Sequence, residues 1–387
     1  MRNISICLSL TITLLAGGTA AAHAAAPAWH GVWRGTIGTS KVQVCLQHTD
    51  YQDFGAYYYM RHLQIIRLEA PDKPAGKDLA TWTEGDASAP SAQNPQWHVT
   101  AVKNGHLDGT WTGNGKSLPI ALTSVAMDKD SDDQPCGSMA FSLPRFTKPA
   151  VTTKPAKVDG IAYTRVVADI DKAFSDSSFE TFQLLGTSPA IRRINAELYK
   201  DVPKDAGHAD YFQCSMDALA QGWNGSRTSE IKPETLTPGF MVVADSESWD
   251  CGGAHPDANT SYQTWDLRKG TKIDVYGLLT GSALARTVHD KGTANEYSEI
   301  TYTAPFKAMI LRAFPAADAD CKDAVETTET WNARLTASGM AFTPELPHVA
   351  AGCVDDAVIP FAKLQPYLTP DGKALVAAFQ AEVKGRK

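Results

Sequence analysis

The sequence predicts an all-β N-terminal domain, barrel-like or a sandwich, followed by an α+β domain. Three observations lead there. Before residue 142, apolar and polar residues alternate at the strand period, and a hairpin signal joins two such runs. Residues 143–160, LPRFTKPAVTTKPAKVDG, hold three prolines and show neither helical nor strand period, which reads as an extended linker. Beyond it, stretches at helical spacing are interleaved with strand candidates. The expected organisation is a signal segment over 1–26, the all-β domain over 27–142, the linker over 143–160 and the α+β domain over 161–380.

Arg2 precedes an apolar run from Ile4 to Ala16, and small residues follow through Ala26. These are the parts of a secretory signal peptide, with cleavage after Ala24, Ala25 or Ala26. The run is shorter than the roughly 20 residues a membrane span needs, and no later stretch is long and apolar enough. The expected location is periplasmic or secreted, with no membrane span.

In the N-terminal domain, Lys41 to Leu46 alternates as a half-buried strand should. Tyr57-Tyr58-Tyr59-Met60 is aromatic and strand-prone; one side of it is expected in the core, and the other is a candidate stacking surface. Asn114-Gly115 falls between two strand-like runs, a strong hairpin signal, and the return strand alternates Leu118, Ile120, Leu122. Two tripeptides, Gly31-Val32-Trp33 and Gly109-Thr110-Trp111, are each expected to open a strand, as in small closed barrels plugged by a tryptophan.

In the second domain, Ser188-Pro189 has the chemistry of a helix start, and Ile191, Ile194 and Leu198 then share one face. A second helix is expected from Ala304 to Phe314 on the stripe Phe306, Met309, Ile310, Ala313. Strand candidates are 239–248, 260–267, 340–343 and 356–361.

Several separated motifs in this half resemble one family. Trp249-Asp250-Cys251-Gly252-Gly253-Ala254-His255-Pro256 is similar to its Tyr-x-Gly-Gly-x-His turn. Thr264-Trp265-Asp266-Leu267-Arg268-Lys269-Gly270 follows its aromatic, Asp-Leu and turn-Gly pattern. Ile191 to Asn195 resembles its Ile-Asn helix. The segments Leu335–Phe342 and Val349–Gly352, then Val358 to Leu364, resemble its closing pattern. The family is the RsiV-like extracellular domain, and the resemblance covers roughly Val158 to Leu368. It implies a non-catalytic domain at the cell envelope that binds a lysozyme-like protein or a peptidoglycan fragment. This chain departs from the pattern in its added cysteines and in having no transmembrane or sigma-binding segment, so anti-sigma activity is not expected.

Six cysteines lie beyond the signal segment: Cys45, Cys136, Cys214, Cys251, Cys321 and Cys353. An even number in an oxidising compartment reads as a disulfide framework. Composition alone leaves the pairing open, and chain order suggests 45–136, 214–251 and 321–353. There is no Cys-x-x-Cys and no Cys/His cluster at zinc spacing, so no metal or cofactor is expected. A net charge of −7 argues against nucleic acid as a partner.

The candidate binding residues are Trp249, Gly252, Gly253, His255, Asp257 and Trp265. Gly252 and Gly253 permit a tight turn, which presents His255 between two tryptophans. The plainer reading is that the imidazole satisfies backbone groups of the turn. Asp257 and Asp266 are its candidate acid–base partners in a hydrolase, although Asp266 is equally placed to cap the turn ending at Gly270. No Gly-x-Ser-x-Gly elbow or His-Glu-x-x-His motif is present. Gly115-Lys116-Ser117 imitates the end of a phosphate-binding loop, but Thr110 stands where that motif requires glycine.

Overall fold

The structure, a computed structural model, describes residues 26–70, 79–85, 94–131, 133–294, 296–315 and 319–385. The expected signal segment lies outside the described residues except for Ala26. The first half is a closed antiparallel barrel of eight strands in chain order. Its strands are β1 (Gly31–Ile37), β2 (Ser40–His48), β3 (Asp53–Tyr59) and β4 (Ile66–Glu69). They continue as β5 (Ala80–Glu84), β6 (Gln96–Lys103), β7 (His106–Gly113) and β8 (Lys116–Val125). Val32 pairs with Val125 and Ile37 with Ile120, so β1 closes on β8 and the sandwich alternative falls away.

Asn114 and Gly115 turn β7 into β8 with φ of 52° and 71°, the left-handed pair that a two-residue hairpin demands. Gly31 opens β1 as expected, whereas Gly109 lies inside β7. A Cβ at Gly109 would sit 2.5 Å from the carbonyl of His98, beside the irregularity between Val99 and Ala101. Glycine there serves close strand approach, not strand initiation.

Side chains fill the barrel. Trp33, Trp82, Trp97 and Trp111 are buried together with Val44, Val99 and Ile120. The Trp33 indole donates to the Trp29 carbonyl at 2.8 Å, and the Trp29 ring meets Trp82 edge-on at 5.0 Å. Neighbouring residues on a strand face opposite sides, so Tyr57 points inward while Tyr58 points out. Tyr58 is nevertheless fully buried, packed on Phe141 with its hydroxyl donating to the Phe141 carbonyl at 2.7 Å. Tyr57 and Tyr58 are therefore core on the two sides of β3, with Tyr59 half-buried beside Tyr57, and neither buried ring offers a stacking surface.

The stretch read as a linker departs from that expectation. It contributes a single 3₁₀ turn at Leu143–Arg145 and then strand β9 (Ala150–Val158). β9 pairs with β10 (Ile161–Asp169) through Asp159-Gly160, another left-handed turn. Its edge position explains the misleading composition. Pro155 is tolerated on an edge, and Lys154 and Lys157 discourage pairing with another chain.

Five further strands complete the main sheet. β10 continues through β11 (Ser178–Leu184), β12 (Ser226–Leu236), β13 (Phe240–Asp250), β14 (Asp257–Asp266) and β15 (Thr271–Ile273). With β9 they form a seven-stranded sheet in the order β15-β14-β13-β12-β11-β10-β9. After a short helix α1 (Met139–Ser142), two helices lie between β11 and β12: α2 (Pro189–Leu198) and α3 (Asp210–Ala220). The hydroxyl oxygen of Ser188 accepts from the Ile191 amide at 3.2 Å, the N-cap its sequence predicts. A hairpin, β16 (Leu284–His289) and β17 (Tyr297–Tyr302), leads to α4 (Ala304–Ala313) and α5 (Ala319–Thr327). A second sheet follows: β18 (Trp331–Leu335), β19 (Gly339–Pro344) and β20 (Ala357–Pro360). The chain then runs through α6 (Phe361–Leu364) into α7 (Pro370–Lys384). The C-terminal half is α+β.

Strand alternation divides the packing of β13. Met241 and Val243 meet Ile194 and Leu198 of α2 on one face. Phe240 and Val242 meet Phe306, Ile310, Trp331, Phe342 and Phe379 on the other. The barrel docks on α3, whose Leu219 joins Phe54, Tyr58 and Phe141 in one cluster. Gln47 ties the contact, donating to the Ala220 carbonyl at 2.9 Å and accepting from the Cys136 amide at 3.2 Å.

Three disulfides are present: Cys45–Cys136, Cys214–Cys251 and Cys321–Cys353. They fit an exported protein, because such bonds persist in oxidising compartments. Among the described residues no helix is long and apolar enough to cross a membrane.

Candidate functional site

The Gly-Gly turn is held from below. Cys251 is bonded to Cys214 of α3, and Gly252 takes φ of 88°. A Cβ on Gly252 would lie 2.8 Å from the Ala218 Cα, so this glycine lets the turn press against α3. Gly253 meets no such constraint; a Cβ there would have the His255 carbonyl at 3.8 Å as its neighbour.

Beside the turn, Trp249 pairs with Asp257 across β13 and β14, and both residues border a groove of about 750 Å³. The groove runs between the seven-stranded sheet and the β18–β20 sheet. Hydroxyls line its first wall, where Thr228 and Ser248 oxygens lie 2.9 Å apart and those of Ser246 and Thr260 lie 3.0 Å apart. Asn332 and Thr343 face them from the second sheet, and four carboxylates, Glu230, Glu247, Asp257 and Glu345, also line the groove.

One buried cation fixes the floor. The Arg334 guanidinium lies 3.8 Å over the ring of Tyr262 and pairs with Glu234 at 2.9 Å and with Asp356. It also donates to the Thr343 hydroxyl at 2.8 Å, which in turn donates to Asp356 at 2.6 Å. Burial pulls the guanidinium down, but the Asp356 hydrogen bond and the fields of Glu234 and Asp356 outweigh it and hold the group above its ordinary value. Burial likewise pushes the Tyr262 hydroxyl up, against the opposing field of Arg334. Tyr262 and Glu234 belong to the first sheet, Arg334 and Thr343 to the second, so the network locks the groove's two walls together.

His255 is exposed, and its ring stacks on His348 at 5.0 Å with planes 7° apart. His348 begins the 3₁₀ helix His348–Cys353, so the stack joins the Gly-Gly turn to the segment that carries Ala351 of the groove. Among the described residues no hydrogen bond or ion pair joins His255 to a carboxylate. Asp257 accepts from the Ala258 amide at 2.8 Å. Asp266 caps its own turn, accepting from the Arg268 and Lys269 amides at 2.9 and 3.1 Å. The acid–base pair of the hydrolase reading is not formed.

Trp265 requires a correction. It is 4% exposed, packed with Met241 and Val243 in the core beneath α2, and does not border the groove. The strand period decides this, since Trp265 sits opposite Met241 on the face turned away from the second sheet. Trp249, Asp257, His255 and Gly252 remain gathered around the groove and its turn. Sequence reasoning missed Arg334 and Tyr262. The available signal was a cation inside the apolar run WNARL, because a charge buried among apolar residues needs partners.

No protein-family model matches the chain, and no curated protein matches it. Among solved structures, it is similar to a DUF3298 family protein from Pseudomonas aeruginosa PAO1 at 13% identity and a TM-score of 0.33. That likeness covers 58% of this chain and 97% of the other. It is also similar to a DUF3298 family member from Bacteroides fragilis NCTC 9343 at 12% identity and a TM-score of 0.37, covering 61% of this chain and 96% of the other.

Proposed function

We propose that this chain is an exported, non-catalytic binding protein of the cell envelope, working in the periplasm or outside the cell, that recognises a peptidoglycan fragment through the groove beside Trp249. Residues 27–142 are one unit, and the second, which begins with β9, carries the site. The carrying observation is the composition of the groove: hydroxyls and amides on both walls, with Trp249 bordering it. Those are the hydrogen-bond partners that a saccharide needs, placed on a rigid floor. The motif series resembling the RsiV-like domain points to the same class of partner.

A second reading rests on a separate observation. Glu230, Glu247, Asp257 and Glu345 line the groove with negative charge, which suits a basic, lysozyme-like protein through electrostatic complementarity. Salt separates the two readings, because charge steering weakens steeply with ionic strength while a neutral glycan contact does not. Co-sedimentation of the oxidised protein with insoluble peptidoglycan, repeated at low and high salt, tests both. Salt-resistant co-sedimentation supports the glycan reading. Failure to sediment, combined with salt-sensitive capture of lysozyme, replaces it with the second.

A further inference from the structure

Arg145 and Arg334 are both buried, and the fold treats their charges differently. Arg334 has two carboxylates, Glu234 and Asp356. Arg145 is 3% exposed, and among the described residues it forms no ion pair. It donates instead to the carbonyls of Leu63 at 3.0 Å and Ala173 at 2.9 Å, and to the Ser215 hydroxyl at 3.4 Å. Its guanidinium also lies 4.5 Å from the centre of the Phe174 ring. These neutral partners satisfy N–H groups but leave a whole positive charge uncompensated, which is costly away from water. Burial accordingly pulls the group down to about 10, opposed by the Tyr58 hydroxyl and by no carboxylate.

A cavity of about 240 Å³ adjoins this charge, where the loop after β3, residues 172–176, α3 and the approach to β12 meet. Arg145 and Ser215 border it as buried residues, while Lys172, Ser175 and Asn224 are exposed around it. Ser215 accepts from Arg145, which leaves its own proton available for a ligand. One carboxylate, Asp176, also borders the cavity; it is exposed, and among the described residues it pairs with neither Arg145 nor Lys172. Two cations against one carboxylate leave the cavity positive, in a chain whose net charge is −7. The field of a buried charge reaches a ligand without contact, so an anion needs to touch only the accessible groups. Ammonium, hydroxyl and amide donors come from separate segments, a spread that suits the four oxygens of a tetrahedral anion better than a planar carboxylate.

We propose that this cavity binds a phosphate group, free or as a monoester, which lies against Lys172, Ser175 and Asn224 and neutralises Arg145 at the floor. The cavity shares no lining residue with the groove beside Trp249, so the two sites are separate. Calorimetric titration of the oxidised protein with inorganic phosphate and with glycerol 3-phosphate tests it, at an ionic strength fixed by sodium chloride. Acetate is the planar control. At least one of the phosphate compounds binds saturably below about 10 mM, and acetate binds more weakly. Whichever phosphate compound binds more tightly tells a free anion from a monoester. Lys172→Gln weakens binding about tenfold, the loss expected for one charge-assisted hydrogen bond. Asp176→Asn strengthens it, because a repelling carboxylate is gone. If Asp176 were itself the counter-ion of Arg145, that substitution would lower the melting temperature and bring no gain in affinity. Both residues are exposed, so neither variant disturbs the core. The proposal is overturned if neither phosphate compound binds saturably up to about 10 mM, if acetate binds as well as they do, or if Lys172→Gln binds like the parent and Asp176→Asn no better.

Discussion

Inside the barrel the Tyr57 hydroxyl donates to Oε1 of Glu84 at 2.6 Å, and the indoles of Trp111 and Trp97 converge on the same oxygen at 2.6 and 3.2 Å. A carboxylate among tryptophans is costly unless hydrogen-bonded, and three aromatic donors meet that need. Burial, reinforced by the charge of Glu84, pushes the Tyr57 hydroxyl far above its ordinary value, so it remains a donor throughout the physiological range. Replacing Glu84 by Leu orphans all three donors. At about 1–3 kcal/mol per buried unsatisfied group, Glu84→Leu is expected to destabilise the protein by ~3 kcal/mol or more. Glu84→Gln keeps an acceptor and costs about 1 kcal/mol. Urea denaturation followed by tryptophan fluorescence checks the order.

Arg334 makes a parallel case in the second domain. Removing it strands Asp356 and Glu234 at the groove floor, and breaking such a pair typically costs about 3–5 kcal/mol. Its side chain is 8% exposed, so water does not replace the lost charge. Arg334→Ala is expected to fall near the low end of that range, because Glu234 and Asp356 are partly exposed. Thermal unfolding checks the loss. A stability within about 0.5 kcal/mol of the parent would show that the two groove walls are held by apolar packing instead.

Glu382 ties α7 back to the turn before β13, accepting from the Gly239 amide at 2.7 Å and pairing with Arg268. Burial alone pushes its carboxyl up, but hydrogen bonds from Thr237, the Gly239 amide and Arg268 outweigh burial and hold it below the usual range. A depressed carboxyl stabilises the fold above its unfolded pKa, and that stability is lost as pH falls through the folded pKa. Glu382→Gln is therefore expected to cost up to about 1 kcal/mol at neutral pH, limited by solvent screening of the Arg268 pair. The gap from the parent narrows below roughly pH 4. Melting curves from pH 7 to pH 3 measure it.

Local signals are legible where they are dense. Asn114-Gly115, the alternation through Leu122, and Ser188-Pro189 each carry one backbone requirement, and each took the predicted form. Asp159-Gly160 carries the same hairpin chemistry as Asn114-Gly115, yet prolines and lysines surround it and mask the strand signal. An edge strand is selected to look unlike a strand, so its composition conceals it. Trp249 and Trp265 show a different limit. Both are aromatic and both flank the Gly-Gly turn, and strand alternation puts both on one face of the sheet; their positions along β13 and β14 leave Trp249 at the strand ends under Arg227 and bury Trp265 beneath α2. The Arg334 network depends on residues from 234 to 356, a separation that no local pattern reveals.

The most direct test of the account is calorimetric titration of the oxidised protein with soluble muropeptides, comparing the parent with Trp249→Ala and Asp257→Asn. The account predicts saturable binding in the micromolar to millimolar range that Trp249→Ala weakens about tenfold or more, consistent with an aromatic contact at a binding hot spot, while all three proteins melt alike. Absence of binding, or binding that neither substitution alters, would contradict the assignment of the groove as the recognition site.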